Sequence, residues 1–172
     1  MIKHTVMGAA VGAALAMGAQ HAVHAQMSRD HGAKGQGIAV EVPWARATPG
    51  RSANGAAYFT VTNRGPSGDR LIGASSSAAG RVELHTHIHD KGVMRMRKLD
   101  GVVLAPGVSV TFRPGGHHVM LVGLKAPLRK GGTFPLTLRF EKSAPVTVTV
   151  KVMGIGAMGG GGSHGHRPGG PK

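Results

Sequence analysis

Cysteine is absent from the chain's 172 residues. That one absence removes disulfides, zinc–thiolate centres, thiol catalysis and the cysteine-ligated blue-copper site together. Any soft-metal site must then rest on thioether or imidazole. Aromatics are nearly as scarce, with one Trp, one Tyr and four Phe. A core has to be assembled mainly from Val, Leu, Ile and Ala, and little material is left for stacking nucleic-acid bases. Acidic residues number 7 against 21 Lys and Arg, giving a formal net charge of +14. The cations are spread singly, with "RMRK" (Arg95 to Lys98) the densest group. They read as a basic, solvated surface and not as a nucleic-acid footprint.

What is present begins with the N-terminus. "MIKHTVMGAAVGAALAMGAQHAVHAQ" opens on Lys3 and His4, runs apolar from Thr5 to Ala19, and closes on Val23-His24-Ala25 before Gln26. This is the layout of a secretory signal peptide over residues 1–25, with a run short for a membrane span. The competing reading is an uncleaved membrane anchor. Cleavage after Ala25 removes only Lys3 among the charged residues, leaving 20 − 7 = +13. An exported, periplasmic protein is expected, with no transmembrane segment after the leader. Residues 26–36 form a flexible, Gly-rich lead-in.

Residues 37–153 carry short strand signals at regular spacing, separated by Gly and Pro turns. "IAVEVPWAR", "AAYFTVTN", "RVELHTHIH", "VMRMRKL", "VSVTF", "HHVMLVGL", "TFPLTLRFE" and "VTVTVKVM" each alternate or run apolar. "NRGPSGDR", "DKG" and "RPGG" supply turns. The pattern predicts an all-β Greek-key sandwich or barrel. Residues 154–172, "GIGAMGGGGSHGHRPGGPK" to the end, cannot bury enough apolar surface to order themselves and read as a disordered tail. That tail still carries Met158, His164 and His166, and short His-bearing tracts bind metal.

The chemistry concentrates in "RVELHTHIHD" and in the runs C-terminal to it. On a strand, Val82, Leu84, Thr86 and Ile88 share one face, expected to be core, while Glu83, His85, His87 and His89 share the other. Met94 and Met96 alternate one turn later, so their strand can pair with the histidine strand. His118 and Met120 share a face opposite Val119 and Leu121. Any one of these methionines reads first as core filling; the combination is what points elsewhere. Thioethers suit Cu(I), imidazole suits copper or zinc, and carboxylates suit harder cations. A His/Met set without cysteine therefore points to copper, Cu(I) in particular.

At these residues the chain resembles the periplasmic copper chaperones of the PCuAC type. Their signature is a His, ten residues, a Met, twenty-one residues, then His-x-Met; His85, Met96 and His118-Val119-Met120 match it without a gap. The resemblance extends through "PWARATPG", "GAAYFTVTN", "DRLIGASS", "PGGHHVMLVGLKAPL" and "FPLTLRFE", covering about Ile38 to Val152. It implies a cupredoxin-like Greek-key fold with Cu(I) held by His85, Met96, His118 and Met120. It also implies delivery to the CuA centre of cytochrome c oxidase, alongside a Sco-type protein. Some members carry a His/Met-rich extension that takes Cu(II), and the tail with His164 and His166 is a sparser version. The chain departs from the family in placing His87 where a Met is common and in adding His89 and His117. His87 stands between ligand and bystander, His89 reads as solvated beside the turn, and alternation turns His117 away from His118.

The expected function is a copper-binding transfer protein with no catalytic step. Three other readings fit the same residues, one of them a binding or structural β-sandwich in which the His/Met set fills core and surface. A secreted His-rich zinc or copper store would use the histidine strand and the tail, and a small copper redox enzyme would use several imidazoles.

Overall fold

The computed structural model describes residues 37–159; the leader, the lead-in, His164 and His166 lie outside them. The described residues form ten strands and no helix. They are β1 (Ile38–Arg46), β2 (Asn54–Asn63), β3 (Asp69–Ser75), β4 (Ala79–Asp90), β5 (Val93–Leu99), β6 (Val102–Leu104), β7 (Ser109–Phe112), β8 (His118–Leu124), β9 (Thr133–Phe140) and β10 (Val146–Met153). The all-β expectation holds. β10 shows why: Val146, Val148, Val150 and Val152 are buried while Thr147, Thr149 and Lys151 face water, the period-two pattern of a half-buried strand. β3 and β6 were not expected. β3 breaks its alternation at a register shift between Leu71 and Gly73, and β6 is three residues long.

Hydrogen bonding links the strands in the order β5-β4-β8-β2-β1-β10-β9-β3-β6, with β7 also on β2. β1 is the joint, antiparallel to β2 and parallel to β10. Its register shifts between Glu41 and Trp44, where Val42 takes φ 49° ahead of Pro43. Proline donates no ladder hydrogen bond, and a bulge there bends the strand. The inner faces meet in one hydrophobic cluster, with Phe59 and Phe112 stacked at 4.5 Å.

One expectation needs correction. The apolar face of β4 is core only in part: Leu84 is 2% exposed but Ile88 is 40% exposed. Pairing of β4 with β8 ends at His85 opposite His118, so beyond that rung the β4–β5 hairpin continues as a two-stranded ribbon. The first residues after β10 meet the end of β1. Arg46 at the end of β1 donates from Nε to the Ala157 carbonyl at 2.7 Å and from Nη2 to Met158 Sδ at 2.9 Å. These bonds hold residues 157–158 against the domain.

Candidate metal site

Register brings the candidate residues to one face. His85 lies opposite His118 and Glu83 opposite Met120 across β4 and β8. His87 lies opposite Met96 and His89 opposite Met94 across β4 and β5. Residues directly opposed across an antiparallel pair share a face. The hairpin register is set by Lys91-Gly92, at φ 48° and 80°, the signature of a two-residue type I′ turn. A slip of one residue would carry both methionines to the other side.

An open depression of about 300 Å³ lies on this face. His87, Met96, His118 and Met120 line it, facing Arg46, Tyr58 and the loop Ala47–Pro49. Gly55 and Ala56 of β2 also line it, and a Cβ on Gly55 would meet a Leu128 methyl at 3.0 Å. The loop is clipped in place: Thr48 N–H donates to the Leu128 carbonyl, and Leu128 N–H donates to Thr48 Oγ1, each at 3.0 Å. Tyr58 stacks on Trp44 at 4.5 Å, and burial pushes its phenol pKa up.

The electrostatics favour a neutral His118. His118 is 3% exposed, and its Nδ1–H donates to the Gly116 carbonyl at 3.0 Å. A carbonyl only accepts, so Nε2 keeps the lone pair. Burial, foremost, holds the His118 pKa below its ordinary value; the Gly116 bond opposes this, while His87 and His85 add to it. The His87 ring stacks on His118 at 4.9 Å, and the His85 ring stands at 5.8 Å. Glu83 accepts from His85 Nε2 at 3.0 Å and from Lys98 Nζ at 3.2 Å. Those two bonds lower its carboxyl pKa to about 2.

The Nδ1 atoms of His85, His87 and His117 are buried without a hydrogen-bond partner. Each orphaned group costs roughly 1–3 kcal/mol, a cost that an ion at the lone pair offsets. At the site, then, soft and borderline donors have spare lone pairs, as a soft cation requires. No group of three or more His, Asp or Glu among the described residues is placed to hold a metal, so a four-donor set here has to include the thioethers.

The structure thus gathers His87, Met96, His118 and Met120 around one depression. His85 is on the same face, beside the depression and not in its lining. His89 is exposed, and Met94 is 51% exposed further along the ribbon. His117 turns to Phe112, with ring centroids at 5.7 Å. Sequence reasoning put Glu83 on the histidine face without giving it a role; its period-two spacing from His85 was the available signal. Arg46 and Tyr58 were missed because only the fold of β1 and β2 brings them to the rim.

The domain that bears this mixed His/Met face is similar in structure to solved PCuAC domains. The apo PCuAC domain of PmoF2 superposes with a TM-score of 0.63 at 33% identity, over 76% of this chain and all of that one. Its copper-bound form gives 0.60 at 31% identity, over 70% and 96%. The solution structure of CuI-DR1885 from Deinococcus radiodurans gives 0.51 at 32% identity, over 64% and 74%. The fold is cupredoxin-like and the domain is of the PCuAC type. A family model described as "Putative lipoprotein LpqE-like" matches residues 38–152, and the chain belongs to this LpqE-like family. The uncharacterized protein RP573 of Rickettsia prowazekii is 39% identical over 114 residues, which span 64% of this chain and 63% of that protein. No helix among the described residues is long and apolar enough to cross a membrane.

Proposed function

We propose that this chain is an exported copper carrier. It holds Cu(I) as cargo with His85, Met96, His118 and Met120, with His87 as an additional donor at the mouth of the site, and it hands the ion on without a catalytic step. The observation that carries this reading is the meeting of Met96, Met120, His118 and His87 at one open depression, with His85 beside it on the same face. Copper in the PCuAC domain of PmoF2 and Cu(I) in DR1885 support it, and the lipoprotein description of the family supports export. Thioethers bind Cu(I) without forming disulfides in an oxidising compartment, and they stay neutral at any pH, so acid sensitivity resides in the imidazoles.

Openness suits transfer by ligand exchange, in which an acceptor displaces one donor at a time. A second depression of about 820 Å³ shares Ala47 and Thr48 with the first and is lined by Arg51, Arg129 and Lys130. Three cations beside the mouth favour docking of an acidic acceptor. The acceptor we propose is the CuA subunit of cytochrome c oxidase in the periplasm, with a Sco-type protein acting alongside. Residues 1–25 are the leader in this reading, and His164 and His166 of the tail are a secondary Cu(II) site.

The test is anaerobic Cu(I) titration against a competing chromophoric chelator. The exported chain from Gln26 is compared with its Met96→Ala/Met120→Ala double variant and with a chain ending at Met153. One tightly held Cu(I), lost in the double variant, is the expected result. Unchanged binding in that variant, or a preference for zinc, would move the function to storage on the histidine strand and tail.

A further inference from the structure

The two histidines of the proposed donor set offer different ring nitrogens. His118 gives its Nδ1 proton to Gly116 and keeps a lone pair on Nε2. His85 is inverted. Its Nε2 lies 3.0 Å from Glu83 Oε2, while Glu83 Oε1 meets Arg81 Nε at 2.9 Å and Lys98 Nζ at 3.2 Å. A carboxylate gripped by two cations accepts hydrogen bonds and has no proton to give, so His85 carries its proton on Nε2. Its lone pair is then on Nδ1, which is buried and has no hydrogen-bond partner. The side chains of His85 and Glu83 are only 15% and 14% exposed, so water competes weakly for their bond.

We propose that Glu83 is a positioning residue that presents His85 to copper through Nδ1, so that His85 and His118 bind through opposite ring nitrogens. The inference rests on the copper reading and deepens it. Nδ1 is the nitrogen nearer the backbone, so copper bound there sits close to the strand. This reconciles His85 with its place beside the depression and leaves the lining to His87, Met96, His118 and Met120. A carboxylate on the far nitrogen also fixes the ring's orientation and raises its basicity, the effect known for metal-bound histidines. Removing such a partner typically weakens metal affinity by about 10–100-fold.

Long-range ¹⁵N histidine spectra of the exported chain test this, recorded before and after one equivalent of anaerobic Cu(I), with Glu83→Gln in parallel. Cu(I) is diamagnetic, so the bound nitrogen reports directly. The expected result is a metal-induced shift on His85 Nδ1 and His118 Nε2. In Glu83→Gln, chelator competition should show affinity lower by about 10–100-fold, with the His118 signature retained. If the amide spectrum of Glu83→Gln shows misfolding, Lys98→Ala replaces it, loosening Glu83 without removing it, with a smaller loss in the same direction. A shift on His85 Nε2, or unchanged affinity in the variant, overturns the positioning role and leaves the copper reading standing. No shift on any histidine overturns both.

Discussion

Leu84→Ala and Ile88→Ala, made one at a time, measure where the metal-bearing hairpin leaves the body of the domain. Both side chains lie on the face of β4 opposite the histidines, four residues apart. Leu84 is 2% exposed and faces Val119 on one side and Leu99 on the other. Truncating such a residue removes its transfer free energy and leaves a cavity, together about 2–5 kcal/mol. Ile88 is 40% exposed, lies beyond the last β8 rung and faces Arg95 alone. Full burial of an isoleucine contributes about 1.5–3 kcal/mol; here only part of that area is removed from water, and no packed shell surrounds it to leave a void. The expected cost is about 1 kcal/mol or less. Urea unfolding at constant m gives both values. Equal losses, or a larger one at Ile88, would mean that the ribbon packs onto the domain, and the account of exposed thioethers would fail. The expected contrast also licenses the copper experiments, because substitutions at Met96 on the same ribbon then report on binding with little change in folding.

Burial lowers the His118 pKa in the folded chain, so the unfolded chain takes up that proton first; stability is full above the ordinary value of 6.5 and declines as pH falls below it. Glu83 contributes in a separate window, its stabilisation being present above 4.5 and lost towards about 2; urea midpoints across pH, with His118→Gln and Glu83→Gln as controls, should separate the two, and a flat profile would refute both. A chain ending at Met153 loses the Arg46 bond to Ala157 and should be less stable by about 1.5 kcal/mol in thermal unfolding, while one ending at Gly159 should match the full chain. Arg51→Glu with Lys130→Glu should slow Cu(I) transfer to an acidic acceptor in stopped-flow mixing and flatten its salt dependence without changing Cu(I) affinity; an unchanged transfer rate would exclude that docking face.

The strands that were legible in the sequence are those whose pattern one partner layer is enough to fix. β10 buries every second residue and β8 buries Val119 and Leu121, so alternation found them. β3 and β6 were hidden because their signal is a register shift against β9 and a three-residue contact with β3. The candidate site divides the same way. Resemblance to the family spacing singled out His85, Met96, His118 and Met120, while period-two alternation only put His85 with His87 on one face of β4 and His118 with Met120 on one face of β8. Alternation could not separate His85 from His87 at the depression, since both share that face and only the position of β8 distinguishes them. Arg46 and Tyr58 had no local signal at all. Ile88 looked like core because alternation records which face a residue is on and not whether anything covers that face.

The outermost strand raises a problem that the basic composition answers. Among the described residues β5 hydrogen-bonds to β4 alone, which leaves its outer amides and carbonyls beside exposed Val93, Met94 and Met96 without a strand partner there. Such an edge is a template on which another chain can add a strand and begin to aggregate. Arg95, Arg97 and Lys98 interrupt it, all three exposed, and two β5 edges brought together would set these charges against each other. The cations of "RMRK" thus act as gatekeepers, guarding the edge against self-association while the thioethers between them stay open to a metal ion.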